Sequence, residues 1–351
     1  MNKFKLEFEL AQHTPLIHFR ADDNNATLRA SELKPKFDKF LDGKVDSSFF
    51  VKNQKGKHLN YKVKVFAKDS EITEIDSRNP LFFGNMGDDE DKKEFLTSKE
   101  IKIEFFSFNR VLLNEIKKHF EAFLANTNFA TRQSKGFGSF YIEGKEFNKE
   151  LIEAKNIYYF VTSSFNLSSD ISLLYKLLRA GINQKGRGGV TTFYAKSLLF
   201  LYFKTKNITW DKRAIKDKYQ TNNFNPKSNY KLVKDLLGLS STESWRDQKM
   251  TITKENSDID RFPSPITFKP IKENNGQYRV YFWAENSDEM LNQEFHIKRN
   301  RNGNLRLRTP NKFDIDEFLK FAINTNISHI ENKYREIREF KDLERIFNSI
   351  K

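Results

Sequence analysis

Cysteine is absent from this 351-residue chain. That excludes disulfides and thiolate-held metals and fits a reducing, cytoplasmic setting. Long apolar runs are also missing. The most apolar stretch, Ser197-Leu198-Leu199-Phe200-Leu201-Tyr202-Phe203, is far too short to span a bilayer, so no membrane partner is expected. The start, Met1-Asn2-Lys3-Phe4-Lys5, runs straight into alternating residues and has no signal-peptide core. The histidines, His13, His18, His58, His119, His296 and His329, show no metal-ligand spacing on one helix. No metal and no cofactor are therefore expected.

What the chain has in excess is positive charge and phenylalanine. Lysine and arginine total 61 against 47 acidic residues, a formal charge of +14. Such an excess favours a polyanion partner, because neutralising phosphates releases counterions. The 35 phenylalanines are enough for a real core despite the high charge.

Residues 3–10 alternate strictly and predict a half-buried strand. Residues 31–41 predict a helix with Ser31 as N-cap, Pro35 in the first turn and Leu33, Phe37, Phe40 and Leu41 on one face. Tyr61 to Lys68 and Glu100 to Phe108 alternate again, with an acidic loop over 77–93 between them. Asn114 to Asn126 is an amphipathic helix, and Ser139 to Ile142 a final strand. Strand, helix, strand, strand, helix, strand is the ferredoxin-like (RRM-like) split βαβ order. The class is α+β. The second half restarts at Ile157, with a helix over 171–180 and a mostly helical stretch over 192–218. Strands follow at 266–268 and 278–283, and a hairpin turns about Asn302-Gly303-Asn304. The C-terminal region, 313–350, is helical.

The segment Arg132-Gln133-Ser134-Lys135-Gly136-Phe137-Gly138-Ser139-Phe140 carries the sharpest signal. Glycines admit close backbone approach, and successive free N–H groups make an anion-binding concavity beside Arg132 and Lys135. Phe137, between Gly136 and Gly138, offers a flat face to a base. That combination suits a nucleic-acid strand. The helix start carries Arg29, Ser31, Lys34 and Lys36 where N–H groups favour phosphate. In the segment Gly181 to Gly189, Gly181 to Gly186 has the spacing of a Walker A loop, but Arg187 stands for its lysine and Gly188 for its hydroxyl residue. It reads as a basic loop, with Lys185 and Arg187 beside the polyanion. Arg261-Phe262-Pro263-Ser264-Pro265 places a cation beside a hydroxyl in a stiff turn. His13 and His18 flank Pro15, and either is a candidate acid or base for RNA cleavage, with His18 taken as the catalytic candidate.

Taken in order, these elements resemble the RAMP superfamily of CRISPR-associated proteins. Leu28-Arg29-Ala30-Ser31-Glu32-Leu33-Lys34 is similar to the family's Ser-Ser-Leu-Lys-Gly segment, with Pro35 where glycine is usual. Lys135-Gly136-Phe137-Gly138-Ser139 resembles its glycine-rich loop. Arg261-Phe262-Pro263-Ser264-Pro265 is similar to the Arg-x-x-Ser-Pro segment of the first subunit of the Cmr complex. The resemblance implies a RAMP domain over 1–150 and a second, partly helical one over 151–351. It also implies a non-catalytic RNA-binding subunit of a type III effector complex in antiviral defence, with CRISPR RNA and other complex subunits as partners. On that reading Arg29, Ser31, Lys34, Lys36, Arg132, Gln133, Lys135, Gly136, Phe137, Gly138, Lys185, Arg187 and Arg261 meet RNA. The alternative is a metal-independent endoribonuclease that processes CRISPR precursor RNA through His18.

Overall fold

The structure, a computed structural model, describes residues 3–17, 27–53, 56–74, 94–245 and 250–351. The acidic loop over 77–93 and His18 lie outside the described residues. The chain divides into two units. One comprises Met1–Ile157, Thr162–Ser169 and Phe268–Phe282; the other comprises Tyr158–Val161, Asp170–Thr267 and Trp283–Lys351. The division falls near residue 157, and a segment more than a hundred residues downstream belongs to the first unit.

In the first unit, β1 (Lys5–Gln12) leads to α1 (Ala30–Leu41) and a short hairpin of β2 (Phe50–Asn53) and β3 (Gly56–Leu59). Then come β4 (Lys62–Glu74), β5 (Glu94–Phe106), α2 (Arg110–Asn126) and β6 (Phe140–Ile142). The sheet order is β4-β5-β1-β6, antiparallel throughout. The first long strand therefore lies beside the third and the fourth, and the helices cross between non-adjacent strands. This is the connectivity that the order of sequence patterns predicts. Period-2 alternation buries Ile101, Ile103 and Phe105 on one face, which α1 and α2 cover with Leu33, Phe37, Ile116 and Phe120. The core is a lattice of rings: Phe37 and Phe123 lie 4.8 Å apart, Phe8 and Phe120 4.6 Å, and Phe105 and Phe120 5.0 Å edge to face. Asn109 caps α2, its side chain accepting from the N–H groups of Val111 and Leu112.

The second unit follows with β7 (Tyr158–Ser163), α3 (Leu167–Arg179), β8 (Ile182–Lys185), β9 (Thr191–Ala195), α4 (Leu198–Thr205), β10 (Thr209–Trp210) and α5 (Asp211–Tyr219). The strands β11 (Tyr230–Lys231), β12 (Leu239–Ser240), β13 (Thr242–Trp245), β14 (Met250–Glu255) and β15 (Arg261–Phe262) come next. The hairpin of β16 (Ile266–Lys272) and β17 (Gln277–Ala284) places most of its length in the first unit. β18 (Glu294–Arg299), β19 (Asn302–Arg308), α6 (Ile315–Thr325) and α7 (Arg338–Ser349) close the chain. The second unit's main sheet is antiparallel in the order β13-β14-β18-β19. The stretch expected to be helical from residue 192 begins instead with strand β9, because Thr191, Thr192, Phe193 and Tyr194 are β-branched or aromatic and pair with β8.

Candidate nucleic-acid interface

The glycine-rich segment forms a tight corner between α2 and β6, and α1 is clamped onto it. α1 begins at Ala30 with Arg29 at the N-cap and no side-chain cap. Ser31, expected as the cap, lies exposed in the first turn. Pro35 sits inside the helix, where it withholds the N–H that the Ser31 carbonyl would accept and its ring crowds that carbonyl. Arg29, Glu32 and Lys36 are spaced three and four apart and share one helix face. Glu32 Oε1 accepts the Ala130 N–H at 2.8 Å and the Lys36 ammonium at 2.6 Å. Lys36 Nζ also donates to Gln133 Oε1 at 2.7 Å and to the Asn128 carbonyl at 3.1 Å, and lies 5.1 Å from the Phe129 ring. The clamp brings the Arg29–Lys36 face against the segment holding Arg132, Gln133 and Lys135. Glu32, its pivot, carries no sequence signal beyond its helical spacing.

Lys34 does not join this edge. Its ammonium donates to Asp38 and to the Leu59 carbonyl, both at 2.9 Å, and lies 3.9 Å from the Tyr61 ring centre. It fastens α1 to the end of β3, so its expected phosphate role is replaced by a structural one.

The corner's backbone is occupied internally. Lys135 N–H donates to the Arg132 carbonyl at 2.8 Å, Gly136 N–H to Gln133 at 3.1 Å and Gly138 N–H to Pro15 at 2.9 Å. Ser139 N–H donates to Thr14 Oγ1 at 2.9 Å, and that hydroxyl donates to the Gly136 carbonyl at 2.6 Å. The expected nest of free N–H groups at Gly136 and Gly138 is thus filled by the chain itself. Phe137 is buried and stacked on Phe95 at 5.8 Å beside Ile17, so it presents no ring to a base. Ala130, Arg132, Gly136 and Gly138 all have positive φ, which is how the chain turns so sharply here. Gln133 is exposed, and Arg132 and Lys135 are half-buried. The Lys135 ammonium itself is buried, 6.0 Å from the Phe268 ring centre.

A buttress from far along the chain holds the corner. Phe268 N–H donates to the Ser134 carbonyl at 3.1 Å. Asn128 Nδ2 bridges the Gln133 and Phe268 carbonyls at 2.7 and 2.8 Å, and Ser139 Oγ donates to Pro270 at 2.8 Å. Lys269, with no exposed surface, donates to the Thr127 carbonyl at 2.8 Å and the Phe140 carbonyl at 3.0 Å. One ammonium ties both stems of the corner, and burial holds its pKa well below the lysine range. Nothing in the sequence sets this lysine apart from the chain's many others.

His13 adjoins the buttress. Its Nδ1 accepts the Lys272 N–H at 3.0 Å, and its carbonyl accepts the Tyr278 hydroxyl at 2.9 Å. Burial, then the charges of Lys269 and Lys272, lower its pKa to about 3. The ring is neutral at physiological pH. Its folded pKa lies below the unfolded value near 6.5, so its stability contribution is present above pH 6.5. It is lost as pH falls toward 3, at about 1.4 kcal/mol per pH unit. Urea melts between pH 7 and 4 should show that slope, and His13→Gln should flatten it.

The outer face of the first unit's sheet has a different character. Lys5 pairs with Glu104 at 2.8 Å, Lys102 with Glu7 at 2.7 Å and Lys68 with Glu100 at 3.6 Å. This face balances its charges, and among them it also carries the half-exposed ring of Phe66 and that of Phe106.

In the second unit, Gly181, at φ +75, ends α3 by donating to the Lys176 carbonyl at 2.8 Å. The glycines from Gly186 to Gly189 form the tip of the β8–β9 hairpin, which rules out the strand-to-helix setting of a phosphate loop. Lys185 and Arg187 are exposed there. Arg261 is exposed on β15, whose backbone pairs with Ser240. Among the described residues no group of three or more His, Asp or Glu is arranged to hold a metal. No helix among them is long and apolar enough to cross a membrane.

The first unit thus joins a split βαβ sheet order to a helix clamped on a glycine-rich corner, and the chain is a RAMP protein. The family models narrow the class. Residues 3–182 match the Cmr1 N-terminal domain and residues 194–351 the Cmr1 C-terminal domain, and the chain belongs to the Cmr1 family. Among solved structures, it is similar to Cmr1 from Pyrococcus furiosus in its apo form, with 11% identity, a TM-score of 0.45 and coverage of 92% of this chain and 96% of that one. It is also similar to a chain of the type III-B Cmr-β complex solved by cryo-electron microscopy with cognate target RNA and AMPPnP, in the presence of ssDNA. There the identity is 9%, the TM-score 0.36 and the coverage 98% and 99%. No curated protein matches the chain significantly.

Proposed function

We propose that this protein is an RNA-binding subunit of a type III CRISPR effector ribonucleoprotein of the Cmr kind, and that it holds CRISPR RNA without cutting it. Membership of the Cmr1 family supports the setting, and the formal charge of +14 supports a polyanion partner. We read the first unit as ferredoxin-like, with RNA running along the edge where α1 meets the corner. One observation carries this reading: the Glu32 and Lys36 hydrogen bonds to Ala130 and Gln133 hold the Arg29 face of α1 against Arg132 and Lys135. Binding there is through side-chain cations to phosphates. On the second unit, we read Lys185, Arg187 and Arg261 as RNA contacts in their own right.

The test is RNA affinity of an Arg132→Gln/Lys135→Gln variant, read by fluorescence anisotropy over a salt series. Affinity should fall, and the slope of log affinity against log salt should shrink by about 1.4, or about 0.7 for each single-strand phosphate that is no longer neutralised. An unchanged slope in the folded variant would remove the corner from the site. Labelled repeat RNA incubated with the protein in EDTA should stay intact. Product that disappears in His18→Ala would favour the ribonuclease reading.

A further inference from the structure

We infer that the open face of the β13-β14-β18-β19 sheet is a second polyanion surface, one that takes the phosphodiester backbone of a nucleic acid without stacking its bases. The inference stands on the second unit alone and does not depend on the corner of the first.

Alternation assigns the two faces. Ile252, Phe295, Ile297, Leu305 and Leu307 are buried on one side. Pairing sets Thr253 opposite Lys298, His296 opposite Arg306 and Glu294 opposite Arg308 on the other. Between residues 294 and 308 the chain has five lysines and arginines against one acidic residue. The two carboxylates on this face do not cover the cations. Glu294 reaches Arg308 at 3.3 Å and Arg306 at 3.8 Å, and Glu255 reaches Lys298 at 2.6 Å, yet the Arg306 and Arg308 side chains stay 64% and 48% exposed. Those two arginines stand two residues apart on one strand, about 6.8 Å along it. Arg301 adds an exposed cation at the turn, where its φ of +68 reverses the chain.

The composition of this face selects the partner. Its remaining residues on β13 and β14 include Thr242, Ser244 and Thr251, hydroxyls that donate well to phosphate. None of the outward residues of these four strands is apolar. A protein partner of any strength needs an apolar centre to its interface, and for base stacking this face offers the one imidazole of His296 and no Phe, Tyr or Trp. Cations and hydroxyls on a flat sheet suit a uniform, repeating anion.

The experiment compares two triple variants of the full chain that lose the same charge. Arg301→Gln/Arg306→Gln/Arg308→Gln alters the face, and Lys204→Gln/Lys320→Gln/Arg335→Gln alters exposed cations elsewhere. Probes are fluorescein-labelled poly(U) and poly(A) of equal length. The face variant should bind both about tenfold more weakly, with a salt slope smaller by about 2, while the control changes little. Equal loss in both variants, or no loss in the face variant, overturns the inference. Loss confined to poly(A) also overturns it, because it would mean base stacking. A second measurement uses the unaltered protein. Poly(U) should shield Arg306 and Arg308 from phenylglyoxal, and equal labelling with and without poly(U) contradicts the proposal even where the triple variant misfolds. If the face instead takes an acidic protein, neither probe shields it. Failure here leaves the Arg132 and Lys135 test untouched, because the two variant sets share no residue.

Discussion

Replacing Gly138 with alanine is expected to destabilise the first unit by about 3 kcal/mol or more. Two costs combine. Gly138 sits at φ +66, where a non-glycine residue loses about 1–2 kcal/mol. A Cβ there would also stand 2.1 Å from the Phe129 carbonyl oxygen, 2.8 Å from its carbon and 3.0 Å from Leu16 Cδ2. Backbone has to move to admit it, and that backbone closes the corner: the Phe129 N–H donates to the Gly138 carbonyl at 3.0 Å. Gly276 is the control. It has φ +79 but nothing within 4 Å of a Cβ, so Gly276→Ala should cost only the conformational part. Urea unfolding of both variants separates strain from collision. Equal losses would mean that the close approach at Gly138 relaxes without effect.

Replacing Lys254 with methionine is expected to cost the second unit about 3–5 kcal/mol, because it leaves buried carboxylates without their cation. Lys254 has no exposed surface; its ammonium donates to Asp235 Oδ2 at 2.6 Å and to Glu243 Oε1. Lys234 reaches the other Glu243 oxygen at 2.6 Å, and Arg179 approaches Asp235 at 3.6 Å. Burial alone would strip the Lys254 proton, but Asp235, Glu243 and Asp211 outweigh it and hold the group charged. Burial lowers Lys234 to about 8 and raises Asp211 to about 6, in each case against the pull of opposite charges. The raised Asp211 pKa means its contribution is full below pH 4 and is lost as pH rises through 6. Removing partners together should restore stability. Lys254→Met with Asp235→Asn should lose less than Lys254→Met alone, in a melt at neutral pH. A larger loss in the double variant would show that the network is not what Lys254 supports.

Much of this fold can be read from the chain in order. Strict alternation from Lys5 to Leu10 and the ring spacing of α2 lead directly to β1 and α2, because local periodicity and burial agree there. The hairpin about Asn302-Gly303-Asn304 is legible for the same reason. The corner is not. Its glycines are visible, but whether they approach a ligand or their own chain depends on Pro15, Thr14 and Phe268, which local sequence cannot place. The same distance hides the buttress: Phe268 to Lys272 resembles any short strand, and only the folded chain shows Lys269 tying Thr127 to Phe140. Phe137 misleads because an aromatic between glycines suits a base and a small apolar cluster equally well. Lys34 and Lys36 look alike in sequence, and two residues along α1 put one on Asp38 and the other on the corner.

RNA binding at the corner is tested most directly by photo-crosslinking of 4-thiouridine-substituted CRISPR RNA to the purified protein, with the attached peptides mapped by mass spectrometry. Crosslinks are predicted in the peptides that carry Arg29 to Lys36 and Thr131 to Lys135. Crosslinks found elsewhere in the chain, with both of these peptides unmodified, would contradict it.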